Sequence, residues 1–278
     1  MDPAGVYLYC FARSGHVRDL EMAGIDGRPG VAALEVGSAL AVFSHVSLNE
    51  FRGGVAGAES WDPARIVPLV CRHERVIEEV MRSGPVLPAR FGTVFPSREA
   101  LAKFLADKGE EVSRILDRLS DKEEWAVKGF VDLDRAKKWL VASDPVLAER
   151  ARQMPESPGV RYFQEKRLAA EVEKALSLWR SAVAEQFRQQ LKDHSVDVCP
   201  LRLQPRDVSG RDAEMVFNLA LLVCRDRVPS LHAFVGAAVA AWAEQGLALD
   251  LSGPWPPYSF CPPMEASQGE APGVLHSA

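Results

Sequence analysis

VRYFQEKRLAAEVEKALSLWRSAVAEQFRQQLK, residues 160–192, decides how the second half of this chain folds. Leu168, Val172, Leu176, Trp179, Val183, Phe187 and Leu191 recur at three- and four-residue steps. That spacing sets one apolar seam along a helix of about nine turns. No glycine or proline interrupts it. A seam this long has to be covered. The shorter helical segments before it, residues 133–142 and 145–154, predict that it is closed as a helical hairpin.

Around the hairpin, strands are predicted at 125–131, 196–203, 214–224 and 247–251, with a helix at 229–245. The order is β-α-β-β-α-β with the first crossover greatly elongated, which predicts a ferredoxin-like split βαβ unit. Upstream, 5–12 (GVYLYCFA), 31–36 and 39–46 read as strands, the last two joined by a Gly37-Ser38 hairpin turn. Residues 49–60 read as a mobile loop. A helix follows, capped by Asp62 with Pro63 in its first turn and ending near Ser83. Pro68 demands a kink or a later start. Its apolar face is Ile66, Val70, Ile77, Val80 and Met81, and His73 is read as half-buried. A strand at 86–95 and an amphipathic helix at 98–119 complete this half. The fold class is therefore α+β with two domains, residues 1–120 and the ferredoxin-like 121–261. The Pro-, Gly- and Ser-containing tail, 262–278, is predicted to be disordered.

The formal net charge of −5 argues against a broad nucleic-acid surface, which needs a basic field. The longest small-apolar run, 232–243, is far shorter than the roughly 20 residues of a membrane span. The five cysteines include no Cys-x-x-Cys pair, and no signal peptide opens the chain, so a reduced cytoplasmic protein is predicted. Cys10 and Cys224 are read as small core fillers. Cys71 and His73 leave a helix about 200° apart and cannot chelate one ion unaided. No P-loop, Gly-x-Ser-x-Gly elbow or His-Glu-x-x-His helix is present. No cofactor, no metal and no catalytic constellation are predicted.

Two segments stand out. In VLPARFGTVF (86–95), strand alternation puts Leu87, Ala89, Phe91 and Phe95 on one face and Val86, Pro88, Arg90 and Val94 on the other. Arg90 then lies in apolar surroundings and needs an ion pair within the chain, or contact with a partner protein. Pro88 cannot donate to a ladder, so the strand is at an edge or carries a bulge. In SGPWPPYSF (252–260), the prolines favour extended geometry, and Trp255, Tyr258 and Phe260 bring apolar area. It reads as an ordered arm fastened to the second domain, or as a segment awaiting a partner. The candidate partner-binding or structural residues are Pro88, Arg90, Phe91, Gly92, Trp255, Pro256, Tyr258 and Phe260.

With YLYCF (7–11), RHERVIEEV (72–80), WAVK (125–128), PGVRYFQEKR (158–167) and FNLALLV (217–223), these segments resemble, in chain order, the GvpF/GvpL family of gas vesicle proteins. Leu87-Pro88 through Arg90-Phe91-Gly92 matches the family's Leu-Pro-x-Arg-Phe-Gly motif. Phe163 departs from the leucine common at its position, and Ser120-Asp121 from a glycine-containing turn. The resemblance implies a non-enzymatic structural or assembly component of gas vesicles in the cytoplasm. Its implied partners are the small GvpA-type shell protein and other accessory proteins. The alternative is a ferredoxin-like small-ligand enzyme or ligand-binding protein, since that fold hosts many chemistries. A pocket of convergent His, Arg or Tyr groups favours the alternative, and an arginine-bearing surface without one favours assembly.

Overall fold

β1 (Ala4–Arg13) is apolar on both faces, so it takes the middle of a sheet with a helix on each side. This is a computed structural model, and it describes residues 4–15, 17, 20–48, 63–205 and 212–262. β1 pairs antiparallel with β3 (Ala39–Ser47), which pairs with β2 (Val31–Val36) through the Gly37 turn. Val6, Leu8 and Phe11 join the core beneath the helix Arg98–Leu119, while Tyr7, Tyr9 and Cys10 join the core beneath the helix Pro63–Met81. These helices are α1 (Pro63–Met81) and α2 (Arg98–Leu119). A register shift between Leu8 and Cys10 lets Tyr9 and Cys10 share the α1 side. α1 begins at Pro63 and runs on through Pro68, so the later start is not needed.

Residues 86–95 do not form one strand. β4 (Leu87–Pro88) and β5 (Val94–Phe95) both pair with β1, at the sheet edge that Pro88 predicts. If the Cys10↔Pro88 ladder ran on unbroken, Tyr7 would face Phe91, but it faces Val94. Three residues are thus extruded, and the alternation that would bury Arg90 is broken. Arg90 is exposed.

In the other half, β6 (Lys122–Val131), β7 (Asp197–Pro200), β8 (Glu214–Cys224) and β9 (Leu247–Trp255) form a sheet in the order β7-β8-β6-β9. Between β6 and β7 run α3 (Leu133–Ser143), α4 (Pro145–Arg152) and α5 (Pro158–Lys192). α6 (Val228–Trp242) precedes β9. Asp132 caps α3 at Arg135 N, and Asp144 caps α4 at Val146 N and Leu147 N. α5 buries Val172, Leu176, Val183, Phe187 and Leu191, with Leu168 and Trp179 half-buried. α3 and α4 lie against it, joined by the ion pairs Lys137–Glu173 and Arg150–Glu171. β9 runs on to Trp255 rather than ending at Leu251, β7 is shorter than predicted, and Cys224 is only half-buried.

The chain is α+β and divides into two compact units. One runs through Glu123 and resumes at Trp255, and the other is Glu124–Pro254. The segment after Trp255 thus belongs to the first unit, not to the second as the sequence order suggests. The predicted 49–60 loop, the Asp62 cap and the tail past Pro262 lie outside the described residues.

Candidate functional site

The apolar stripe of α1 is interrupted by one polar residue, His73, and His73 is fully buried rather than half-buried. Its ring is edge-on to Tyr7 at 5.6 Å and to Phe91 at 5.7 Å, and stacked on Tyr9 at 5.8 Å. Nδ1 lies 2.9 Å from the Tyr7 hydroxyl, and Nε2 lies 3.2 Å from the Ala89 carbonyl and 3.1 Å from the Tyr258 hydroxyl. A carbonyl only accepts, so Nε2 carries the hydrogen and Nδ1 accepts from Tyr7. Gly92 N donates to the Tyr7 oxygen at 3.2 Å, and Tyr258 O–H donates to Glu74 Oε1 at 2.9 Å. One chain of hydrogen bonds therefore runs from Gly92 through Tyr7, His73 and Tyr258 to Glu74.

Burial pushes the His73 pKa down from 6.5 to about 4, against the smaller upward pull of the Ala89 carbonyl. The ring is neutral at pH 7. Burial pushes the Tyr7 and Tyr258 hydroxyls up, and Glu74 beside Tyr258 adds to the latter shift. Burial also raises Glu74, partly offset by the hydrogen bond from Tyr258. Charged forms are disfavoured at every step of the chain, so this arrangement fastens elements together and is poorly suited to exchanging protons near neutrality.

The fastened elements are the two segments that stand out in the sequence. At the extruded turn, Thr93 N donates to the Arg90 carbonyl at 3.1 Å and Thr93 Oγ1 at 2.6 Å. Gly92 has φ of +88°, and no other residue of the turn has positive φ, which is the type II pattern that wants glycine there. Ala89 N donates to Tyr9 O and Leu8 N to Thr93 O, so the turn is pinned to β1 at both ends. Leu87 and Pro88 are buried, and Phe91 packs on Tyr7 and His73. Arg90 alone turns outward, and no ion pair holds it among the described residues.

The arm reaches the same place. Pro256, Pro257 and Phe260 are buried, and Arg118 Nη2 donates to the Phe260 carbonyl at 2.8 Å. Tyr258 supplies the link to His73 and Glu74. Trp255, one of the three aromatic residues that bring apolar area to the arm, is 45% exposed. Thus Pro88, Phe91, Gly92, Pro256, Tyr258 and Phe260 are built into the first unit, while Arg90 and Trp255 face outward. Among the described residues no group of three or more His, Cys, Asp or Glu is placed to hold a metal ion. No helix among them is long and apolar enough to cross a membrane.

Residues 5–262 match the family described as "Gas vesicle synthesis protein GvpL/GvpF", and the chain belongs to that family. It is 29% identical over 255 residues to gas vesicle protein F of Streptomyces sp. (strain CB03234), covering 91% of this chain and 98% of that one. Against gas vesicle protein L of the same strain, identity is 28% over 243 residues, with 85% of each chain covered. The crystal structure of the gas vesicle protein GvpF from Anabaena sp. PCC7120 superposes with a TM-score of 0.68 at 18% identity. It covers 94% of this chain and 100% of that chain, a likeness of fold.

Proposed function

We propose that this member of the gas vesicle synthesis family is a non-enzymatic assembly component that binds a GvpA-type shell protein and other accessory proteins in the cytoplasm. The contact is the turn bearing Arg90, on the edge of the first sheet. The second unit is a ferredoxin-like split βαβ scaffold whose elongated crossover forms the hairpin of α3, α4 and α5. One observation carries the reading. In VLPARFG the Arg90 side chain alone is exposed, while its carbonyl and the other residues serve the first unit's own packing or hydrogen bonding, and the turn holds the arginine outward between two anchored ends. The turn fixes the backbone that carries the guanidinium, so only the side chain's own freedom is lost when it meets a carboxylate or a row of carbonyls.

Purified full-length protein titrated with a purified GvpA-type shell protein tests this. Arg90→Glu is expected to weaken binding at least about tenfold while leaving the melting temperature unchanged, because the side chain is exposed and no ion pair holds it among the described residues. Binding of the variant at parental strength would sink the reading.

A further inference from the structure

His73 has one ring hydrogen to give and two oxygens to receive it. Nε2 lies 3.2 Å from the Ala89 carbonyl and 3.1 Å from the Tyr258 hydroxyl, while Nδ1 accepts from Tyr7. Tyr258 gives its own hydrogen to Glu74 Oε1 at 2.9 Å, so its oxygen meets Nε2 as an acceptor. One N–H thus makes a three-centre bond, and each acceptor receives less of it than it would alone. The two acceptors belong to different segments. Tyr258 is in the arm, and the Ala89 carbonyl belongs to the peptide group that leads into Arg90. Ala89 N donates to Tyr9 O and Leu8 N to Thr93 O, which fastens the peptide groups 88–89 and 93–94 to β1. The peptide group between Ala89 and Arg90 is held at its oxygen by His73 instead. Glu74 tilts the division toward the arm, because a hydroxyl that donates to a carboxylate oxygen becomes a better acceptor.

We infer that Tyr258 is a positioning residue for the Arg90 turn: the arm takes a share of the histidine hydrogen that otherwise goes to Ala89, so an engaged arm loosens the peptide that carries Arg90. The arm is then a brake on the partner contact, built into the fold. Its effect on binding rests on the reading of Arg90 as that contact, whereas the sharing of the hydrogen does not. Linkage makes the coupling reciprocal, so a partner that firms the turn weakens the hold of Tyr258 on His73. A merely structural anchor has the opposite sign, since removing an anchor loosens what it supports.

The test uses the full-length protein and two variants that leave the arm's buried Pro256, Pro257 and Phe260 in place. Tyr258→Phe removes the hydroxyl and keeps the ring. Glu74→Gln keeps the hydroxyl and makes its oxygen a poorer acceptor. NMR of protein labelled at alanine carbonyls and arginine amides reads the Ala89 carbonyl carbon. That carbon is expected to move downfield in both variants, and further in Tyr258→Phe, as a carbonyl does when its hydrogen bond strengthens. Titrated with a purified GvpA-type shell protein, Tyr258→Phe is expected to bind about two- to threefold more tightly than the parent, with Glu74→Gln between them. An unmoved or upfield Ala89 carbon in Tyr258→Phe would overturn the inference, and so would binding no tighter than the parent's. Should Tyr258→Phe fail to fold, Glu74→Gln is judged by the same two signals. Indifference of binding to Arg90→Glu is a separate outcome. It sinks the reading of Arg90 as the contact, and the Ala89 carbon alone then decides whether the arm and the turn share the hydrogen.

Discussion

Arg90 is exposed where strand alternation buries it, and His73 is fully buried where the sequence reads it as half-buried. Alternation along 86–95 buries the arginine, because a period of two assumes an unbroken ladder. Three extra residues and a glycine at φ of +88° break that ladder, so the charge goes to water and its desolvation cost disappears. The sequence does carry the signal, an Arg-Phe-Gly-Thr stretch with glycine at the third turn position. His73 was equally findable. It stands three residues after Val70 and four before Ile77, inside the apolar stripe of α1, where a polar side chain has to be satisfied. Its pKa gives a signed prediction. With the folded value held near 4 and the unfolded value near 6.5, the unfolded chain takes the proton first as pH falls. The stability contribution is present above about pH 6.5 and is lost between there and about pH 4, by about 3 kcal/mol in all. Glu74, whose pKa is raised, acts with the opposite sign over its own range, and it does so with or without the histidine. Urea unfolding across this range should show a steeper loss for the parent than for His73→Gln. Parallel curves would mean that the ring is not buried neutral as described.

At the scale of elements, the helices were the readable part. The α5 seam follows from a period that the helix itself imposes, so Val172, Leu176, Val183, Phe187 and Leu191 are buried where the spacing puts them. The destination of the arm was not readable. Its anchor, Tyr258, bonds to Glu74, a residue 184 positions away, and no local pattern encodes such a pairing. A close approach inside the second unit was also invisible in the sequence. The ring of Phe217 on β8 lies over Gly129 on β6, where any Cβ would collide with it, and the same ring stacks on Phe187 of α5 at 5.1 Å. Gly129 is thus a packing requirement, not a loose point in the strand. Gly129→Ala should push Phe217 off Phe187 and cost about 1–3 kcal/mol in chemical unfolding. A loss below about 0.5 kcal/mol would show that the ring moves aside freely and that the stack contributes little.

On the scale of the whole molecule, the chain leaves its first unit at Glu123 and comes back at Trp255, so the first unit is finished by the last described residues. This explains why two segments so far apart in sequence are built around one histidine. They close the same core, and the closing leaves Arg90 as the outward-facing part of the motif. Membership of the gas vesicle synthesis family rests on nearly the full length of the chain, while the role of Arg90 rests on its geometry alone. The direct measurement is vesicle formation in a gas-vesicle-forming host deleted for this gene and supplied with the parent or Arg90→Glu at equal protein levels. The account predicts buoyant cells with the parent and absent or deformed vesicles with the variant, whose purified protein melts as the parent does. Normal vesicles from Arg90→Glu would contradict it.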